Sequence, residues 1–355
     1  MHHFTRTFLI SVIGSMTIAC SATRELSIVV QEPSPVTITN EIKTIGILDA
    51  TKPSLQKRKK KDGIANVVVQ DEKWLSIHGT EASMEGLFDA LLKDQRFEKV
   101  VLIQNVNIAQ SLSDENLTAN TWQEITYLCN EIGVDAIFAL AHFEVDTKLK
   151  VKKTKRTETD LLRMHSETLG KEITMETLIG NGWRIFDPNK RILLDEIVTN
   201  NELVTSSLGN DVIDAIENMD GRRLEALKFS KNTGVAYGQR LLPSDRILKR
   251  SYFAKGNSQL IKTDQLIQAG KIDLAKQKLS DLVSSGDNAL GSKASYNLAV
   301  LNEYQGNLDM AIHWAEKSID LKSKAFNTDY LKSLLRRQTK NVLVQQQFQE
   351  VGLLE

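Results

Sequence analysis

Cysteine is nearly missing from this 355-residue chain: only Cys20 and Cys129 occur. Two thiols exclude a disulfide framework and any cysteine-built zinc site. Excess charge of one sign is missing as well, because 45 Lys and Arg balance 45 Asp and Glu. A dedicated nucleic-acid binder draws its affinity from phosphate contacts, and a net charge of zero argues against one. The apolar stretch from Phe8 to Ala19 is too short to span a bilayer, which takes about 20 apolar residues. Catalytic signatures are missing too: there is no HExxH, no GxSxG elbow, no Walker loop and no GxGxxG. What remains, 41% apolar and 25% charged residues, is ordinary for a globular protein. The length suggests about two domains at roughly 100–200 residues each.

The first twenty residues, MHHFTRTFLISVIGSMTIAC, have a short polar start with Arg6 and then the apolar stretch, as in a secretory signal. Ending on Ile18, Ala19 and Cys20, they resemble a bacterial lipobox, with Thr17 standing where that pattern has Leu. The resemblance implies removal of residues 1–19 and lipidation of Cys20. Several acyl chains on one cysteine anchor stably, where a single chain holds only marginally. Ser21, not Asp, follows the cysteine, which implies an outer-membrane lipoprotein facing the periplasm or the cell surface. Ordinary signal cleavage near Ser21 or Ala22 is the rival outcome.

Residues 20–40 read as a tether and lead-in strand, with Leu26, Ile28 and Val30 alternating, then Val36 and Ile38 after Pro33 and Pro35. EIKTIGILDA (41–50) reads as a buried strand, and QKRKKKDG as a solvated basic loop. Met84, Leu87, Phe88, Leu91 and Leu92 share a helix face. KVVLIQ (99–104) makes a strand, and Asn120 with Gln123 forms a capping box for a helix that Gly133 ends. DAIFALAHF (135–143) is an apolar run expected of a strand covered on both faces. Residues 145–170 are polar enough for a long hairpin tip or a mobile loop. EITMETLIGNGWRIFD and RILLDEIVT flank DPNK, good turn chemistry for two long antiparallel strands. Residues 208–241 read as two helical pieces broken near Gly221, and RILKRSYF (246–253) as either a strand or a helix start.

This order, with its "GVDAIF" strand and "WRIFD…RILLDE" hairpin, resembles the periplasmic domains of the curli-secretion lipoprotein family and the TolB amino-terminal region over residues 40–250. The whole chain looks like an uncharacterised family of Bacteroidetes envelope lipoproteins, a resemblance that implies architecture rather than chemistry.

SYNLAVLNEYQGNLDMAIHWAEKSIDL (295–321) fits a tetratricopeptide unit, a helix–turn–helix of about 34 residues. Leu298 and Ala299 lie on its first helix, Gly306-Asn307 at the turn, and Ala311 and Ser318 on its second. A fainter copy stands 36 residues earlier, with Gly270 for Gly306 and Ala275 for Ala311. Tyr330, Leu331, Leu334 and Leu335 look like a capping helix. Two units are few for a free-standing array, so it is either a buttress or a partner-binding groove. In the groove reading Gln259, Lys262, Asn297 and Glu303 are the contacts; otherwise they are ordinary solvated residues.

Candidate chemistry is sparse. His78, His142, His165 and His313 are scattered, and Cys129 sits on an apolar helix face as an inert thiol does. Asp195-Glu196 and Asp211/Asp214 are paired acids by spacing alone. No catalytic residue, metal site or cofactor is expected.

The sequence therefore predicts an α+β or α/β amino-terminal domain (41–250), a mixed sheet flanked by helices. An all-α tetratricopeptide-like helical-repeat domain (251–340) and a tail (341–355) follow. The expected function is a lipid-anchored, non-catalytic protein-binding adaptor or assembly factor. Its expected partners are the membrane, through the anchor, and a protein, through the repeats. The alternatives are an envelope hydrolase whose site forms only in three dimensions, and a secretion-pore subunit built on residues 145–180.

Overall fold

In a computed structural model of the chain, residues 22–52, 63–104, 109–159, 165–219 and 221–350 are described. Residues 1–21, which include the expected signal and Cys20, basic residues 56–62 and residues 351–355 lie outside them. Contacts divide the chain into two units. One joins residues 33–244 with 343–355, the other residues 1–32 with 245–342.

β1 (Thr23–Glu32) opens the described chain and belongs to the second unit. Val36 and Ile38 are buried as their alternation predicts, but they form no strand. Here the backbone is held by a side chain instead of a ladder. Gln347 accepts from the Ser34 N–H and donates to the Ser34 carbonyl, both at 2.9 Å.

In the first unit, β2 (Thr44–Asp49), α1 (Gly63–Leu92), β3 (Lys99–Ile103), α2 (Ala119–Ile132) and β4 (Ala136–Thr159) form two crossovers. β2 runs parallel to both β3 and β4, a pairing that requires such helical connections. β5 (His165–Asp187) and β6 (Ile192–Gly209) then add antiparallel, giving a mixed sheet of order β3-β2-β4-β5-β6. α3 (Val212–Glu217) and α4 (Arg222–Arg240) follow, separated at Gly221. Asp187 shapes the hairpin turn by accepting from the Asn189 and Lys190 N–H groups at 3.0 Å.

One face of the sheet packs on α1 and α4 through Ile45, Ile47, Phe138, Trp183, Leu87 and Tyr237. The other packs on α2 through Leu48, Ile137, Phe186, Leu128 and Cys129. The register of β4 slips between Leu140 and His142. Phe138 and Leu140 before the slip, and Phe143 and Val145 after it, therefore face the same layer. α1 and α4 approach closely enough that a Cβ at Gly234 would overlap the Ser83 carbonyl.

Three sequence expectations change. Thr118, not Asn120, caps α2 by accepting from the Thr121 N–H at 3.1 Å. Much of the polar segment 145–170 is strand: β4 and β5 stay in register from Glu144 opposite Gly180 out to Thr159 opposite His165. α1 extends well before the face of Met84 to Leu92 and begins at Gly63, and its buried side there includes Val68, Glu72, Leu75 and Gly79.

The second unit holds β7 (Ser244–Phe253), so RILKRSYF is a strand. β7 pairs with β1 in a two-stranded sheet. Contacts from Glu25 to Lys249 and Glu32 to Arg246 run in opposite order along the strands, an antiparallel arrangement. Helices α5 (Ser258–Gln268), α6 (Ile272–Val283), α7 (Asn288–Tyr304), α8 (Leu308–Leu321) and α9 (Ala325–Glu350) follow. α5–α6 and α7–α8 are two helical hairpins. The 36-residue offset superposes Gly270 on Gly306, both with positive φ, and Ala275 on Ala311, both fully buried. The expected tail is helical as far as Glu350.

Candidate functional site

The four residues expected to line a groove on the helical unit part company. Gln259 and Lys262 are exposed on α5. Asn297 and Glu303 on α7 are fully buried, which corrects the reading of them as groove contacts. Asn297 holds the chain's own β7, accepting from the Phe253 N–H and donating to the Phe253 carbonyl, both at 2.8 Å. A carboxamide carries one donor edge and one acceptor, so it pairs with an extended backbone as a neighbouring strand would. Glu303 accepts from Arg250 Nε and Nη2 at 2.9 and 3.0 Å, Tyr330 Oη at 2.7 Å and Arg337 Nη1 at 2.7 Å. Burial pushes its carboxyl pKa up, but the Arg250 bonds and charge outweigh this and hold it below its ordinary value. On α5, Asp264 takes the Tyr252 hydroxyl at 2.8 Å. The first helices of both hairpins thus grip β7.

In the α/β unit the candidate catalytic groups do not converge. Asp195 accepts from Tyr237 and Arg240, while Glu196 accepts from Arg184. Asp211 caps α3, and Asp214 accepts from the Asn210 N–H. His142 lies 3.7 Å from Glu144, and His78 lies 3.3 Å from Glu81, with all four side chains well exposed. His313 is exposed on α8, and the side chain of His165 is outside the described set. Cys129 is buried, and desolvation, aided by Asp135 and Asp187, pushes its thiol up to about 12. A thiol in that state is no nucleophile at neutral pH. Among the described residues no three His, Cys, Asp or Glu side chains cluster as a metal site, and no helix is long and apolar enough to cross a membrane.

Two of the concavities among the described residues border β2 and the strands β5 and β6. A space of about 580 Å³ lies beside the end of β2, lined by Asp49, Lys73, Glu81 and Phe143 among others. Asp49 is committed to Thr51, and Lys52 to Asp114 at 2.7 Å. The second, about 240 Å³, lies between α4 and strands β5 and β6. Its floor includes buried Asn181, Trp183 and Tyr237, and its rim includes exposed Thr199, Asn232 and Ala236. The Trp183 and Tyr237 rings stack with centroids 5.3 Å apart, and the Trp183 indole N–H has no hydrogen-bond partner among the described residues.

β6 itself is the last strand of the sheet, and among the described residues no strand lies on its outer side. From Asp195 to Gly209 its register with β5 is unbroken. Val198 and Val204 are each 56% exposed. Edge strands are normally guarded by lysine, proline or bulges. ILLDEIVTNNELVTSSLG has no Lys and no Pro, and that stretch has no bulge. The sequence showed this strand, but its edge position depends on pairings that only the structure reveals.

Residues 42–253, more than half of the chain, match the family described as Domain of unknown function (DUF8603). The chain belongs to that family. The DUF8603 match takes in the whole five-stranded sheet and runs on through β7. Residues 262–341 match a second description, Domain of unknown function (DUF6340), over the helical hairpins and much of α9. No curated protein matches the chain. Among solved structures, the hypothetical protein CT253 from Chlamydia trachomatis is 9% identical, with 56% of this chain and 98% of that one covered, at a TM-score of 0.23. A neuraminyllactose-binding hemagglutinin homolog from Helicobacter pylori is 12% identical, with 58% and 96% covered, also at 0.23. Likenesses at that score carry no argument about this DUF8603 chain.

Proposed function

We propose that this chain is a non-catalytic adaptor or assembly factor that takes up an extended segment of a partner protein along β6. The observation that carries this is the long, regular edge between Asp195 and Val204, free of Lys, Pro and bulges, with Val198 and Val204 exposed on it. Strand addition uses main-chain hydrogen bonds that an edge already presents, so it needs no reactive side chain. The helical unit closes on its own strand, where α5 and α7 hold β7. Its exposed residues Gln259 and Lys262 stay available for a second contact.

We also propose that the protein is an envelope lipoprotein of the Bacteroidetes kind, anchored through Cys20, on the support of its first twenty residues. Intact mass of the native protein should show residues 1–19 gone and acyl mass on Cys20; an unmodified terminus near Ser21 or Thr23 overturns the anchor.

The docking edge is tested by placing a photoreactive residue at Val204 in intact cells, with one at exposed Leu274 on α6 for comparison. The partner captured at Val204 is then purified and mixed with the chain, and amide exchange is read along β6. Slowed exchange of β6 amides supports strand addition. Unchanged exchange there, or capture from Leu274 alone, overturns it.

A further inference from the structure

We infer that the groove between α4 and β6 is the specificity pocket of that docking edge, and that it accepts a carboxamide side chain, Asn or Gln, from the docked segment. This rests on the strand-addition reading.

Ile197, Thr199 and Asn201 line the groove from β6 at two-residue spacing. A strand laid beside β6 would bring alternate side chains over the same face of the sheet. At about 240 Å³ the space is below the roughly 300–1,000 Å³ of sites for drug-sized molecules, and suits a side chain.

The chemistry of the lining selects against charge. Arg240 is the only charged lining residue, and it is already held by Asp195 at 2.7 Å. An entering charge would therefore lose its water without gaining a free counter-ion. Phe229, Ile197 and the Trp183–Tyr237 stack supply apolar walls, Asn201 and Asn232 supply donors and acceptors, and Thr199, whose hydroxyl donates to the Asn181 carbonyl, supplies an acceptor. Trp183 is 1% exposed and its indole N–H lacks a partner, a state that native structures seldom leave unexplained. A flat carboxamide meets these needs together: its faces pack on aromatic rings, its oxygen accepts, and its N–H groups donate. Asn181 is not free for the same task on its donor side. Its Nδ2 donates to Ser83 Oγ at 2.6 Å and Thr233 Oγ1 at 3.0 Å, which fixes the floor in place.

The test is a selection from displayed random peptides about ten residues long. The bait is the full chain, or the same chain with Val198→Lys and Val204→Lys. Enriched peptides should bind the parent chain but not the doubly substituted one, and should share an Asn or Gln at a fixed position. In the best peptide, exchanging that residue for Leu should weaken binding about tenfold, as should Trp183→Phe, which keeps an aromatic side chain and removes the donor. The two changes together should cost no more than either alone. Where Trp183→Phe fails to fold, Thr199→Ala on the exposed rim serves in the same cycle. Edge-dependent peptides with no shared carboxamide, or with additive effects, overturn the pocket and leave strand docking standing. Failure to enrich any peptide on the parent chain over the doubly substituted one overturns both.

Discussion

β6 and β7 have similar backbones in unlike surroundings. β7 is a strand of the helical unit whose neighbours have closed around it: β1 on one side, Asn297 on Phe253, and Glu303 on Arg250. Among the described residues β6 has β5 on one side and no strand on the other. The helical hairpins are where the sequence suggested a partner-binding groove, yet Asn297 and Glu303 are already occupied by the chain itself. The sheet, which has no recognisable binding motif, keeps an open edge. Capacity to bind an extended chain lies where backbone groups are unmatched, whatever the motif.

The closed side of this comparison is broken most severely at Glu303. Glu303→Ala leaves two guanidinium groups inside without their acceptor and should destabilise the helical unit by about 3–5 kcal/mol in denaturant unfolding. The carboxyl is held below its ordinary value, so its contribution is complete above the ordinary carboxylate range and is lost as pH falls through the depressed folded-state value. Glu303→Gln should therefore flatten the acid side of the stability profile. On the open side, Gly234→Ala pushes a methyl into the Ser83 carbonyl and should cost about 3 kcal/mol by disturbing the helix pair that supports the sheet. Asn297→Ala should cost about 2 kcal/mol, because both Phe253 backbone groups lose their carboxamide partner. The contrast is sharpest in the mildest change. Val198→Lys with Val204→Lys should shift stability by only about 0.5 kcal/mol while abolishing partner binding. As a control on folding, Cys129 should resist alkylation at pH 8 in these variants and react fully in denaturant, given a thiol pushed up to about 12.

Much of the fold could be read before any coordinates. WRIFD shows how: Trp183 and Ile185 pack toward α1 and α4, Phe186 packs toward α2, and Asp187 shapes the turn. Alternation and turn chemistry carry that information. Arg184, between them, donates to the Leu112 and Asp114 carbonyls, a long-range role that no local pattern announces. The polar strand segments 145–159 and 165–170 were hard to read for a related reason. Lys150 and Glu176, and Lys152 and Glu172, neutralise one another only once the strands are paired. Asn297 and Glu303 were legible as polar residues on a helix, groove contacts or solvated positions, but not as buried ones. Their partners arrive from 44 to 53 residues away, Phe253 and Arg250 on β7. The candidate edge was hidden for the same reason, since being last in a sheet is a property of neighbours.

One consequence of the division into units concerns synthesis. β1 is made early, yet its pairing partner β7 follows more than two hundred residues later, after the entire five-stranded sheet. Between those moments β1 has no strand to join, and closing so long a loop is slow. A ribosome-bound chain halted just after α4 should therefore hold a folded sheet behind an unpaired leading strand. A holding chaperone, or early delivery to the membrane, would have most to protect in that interval.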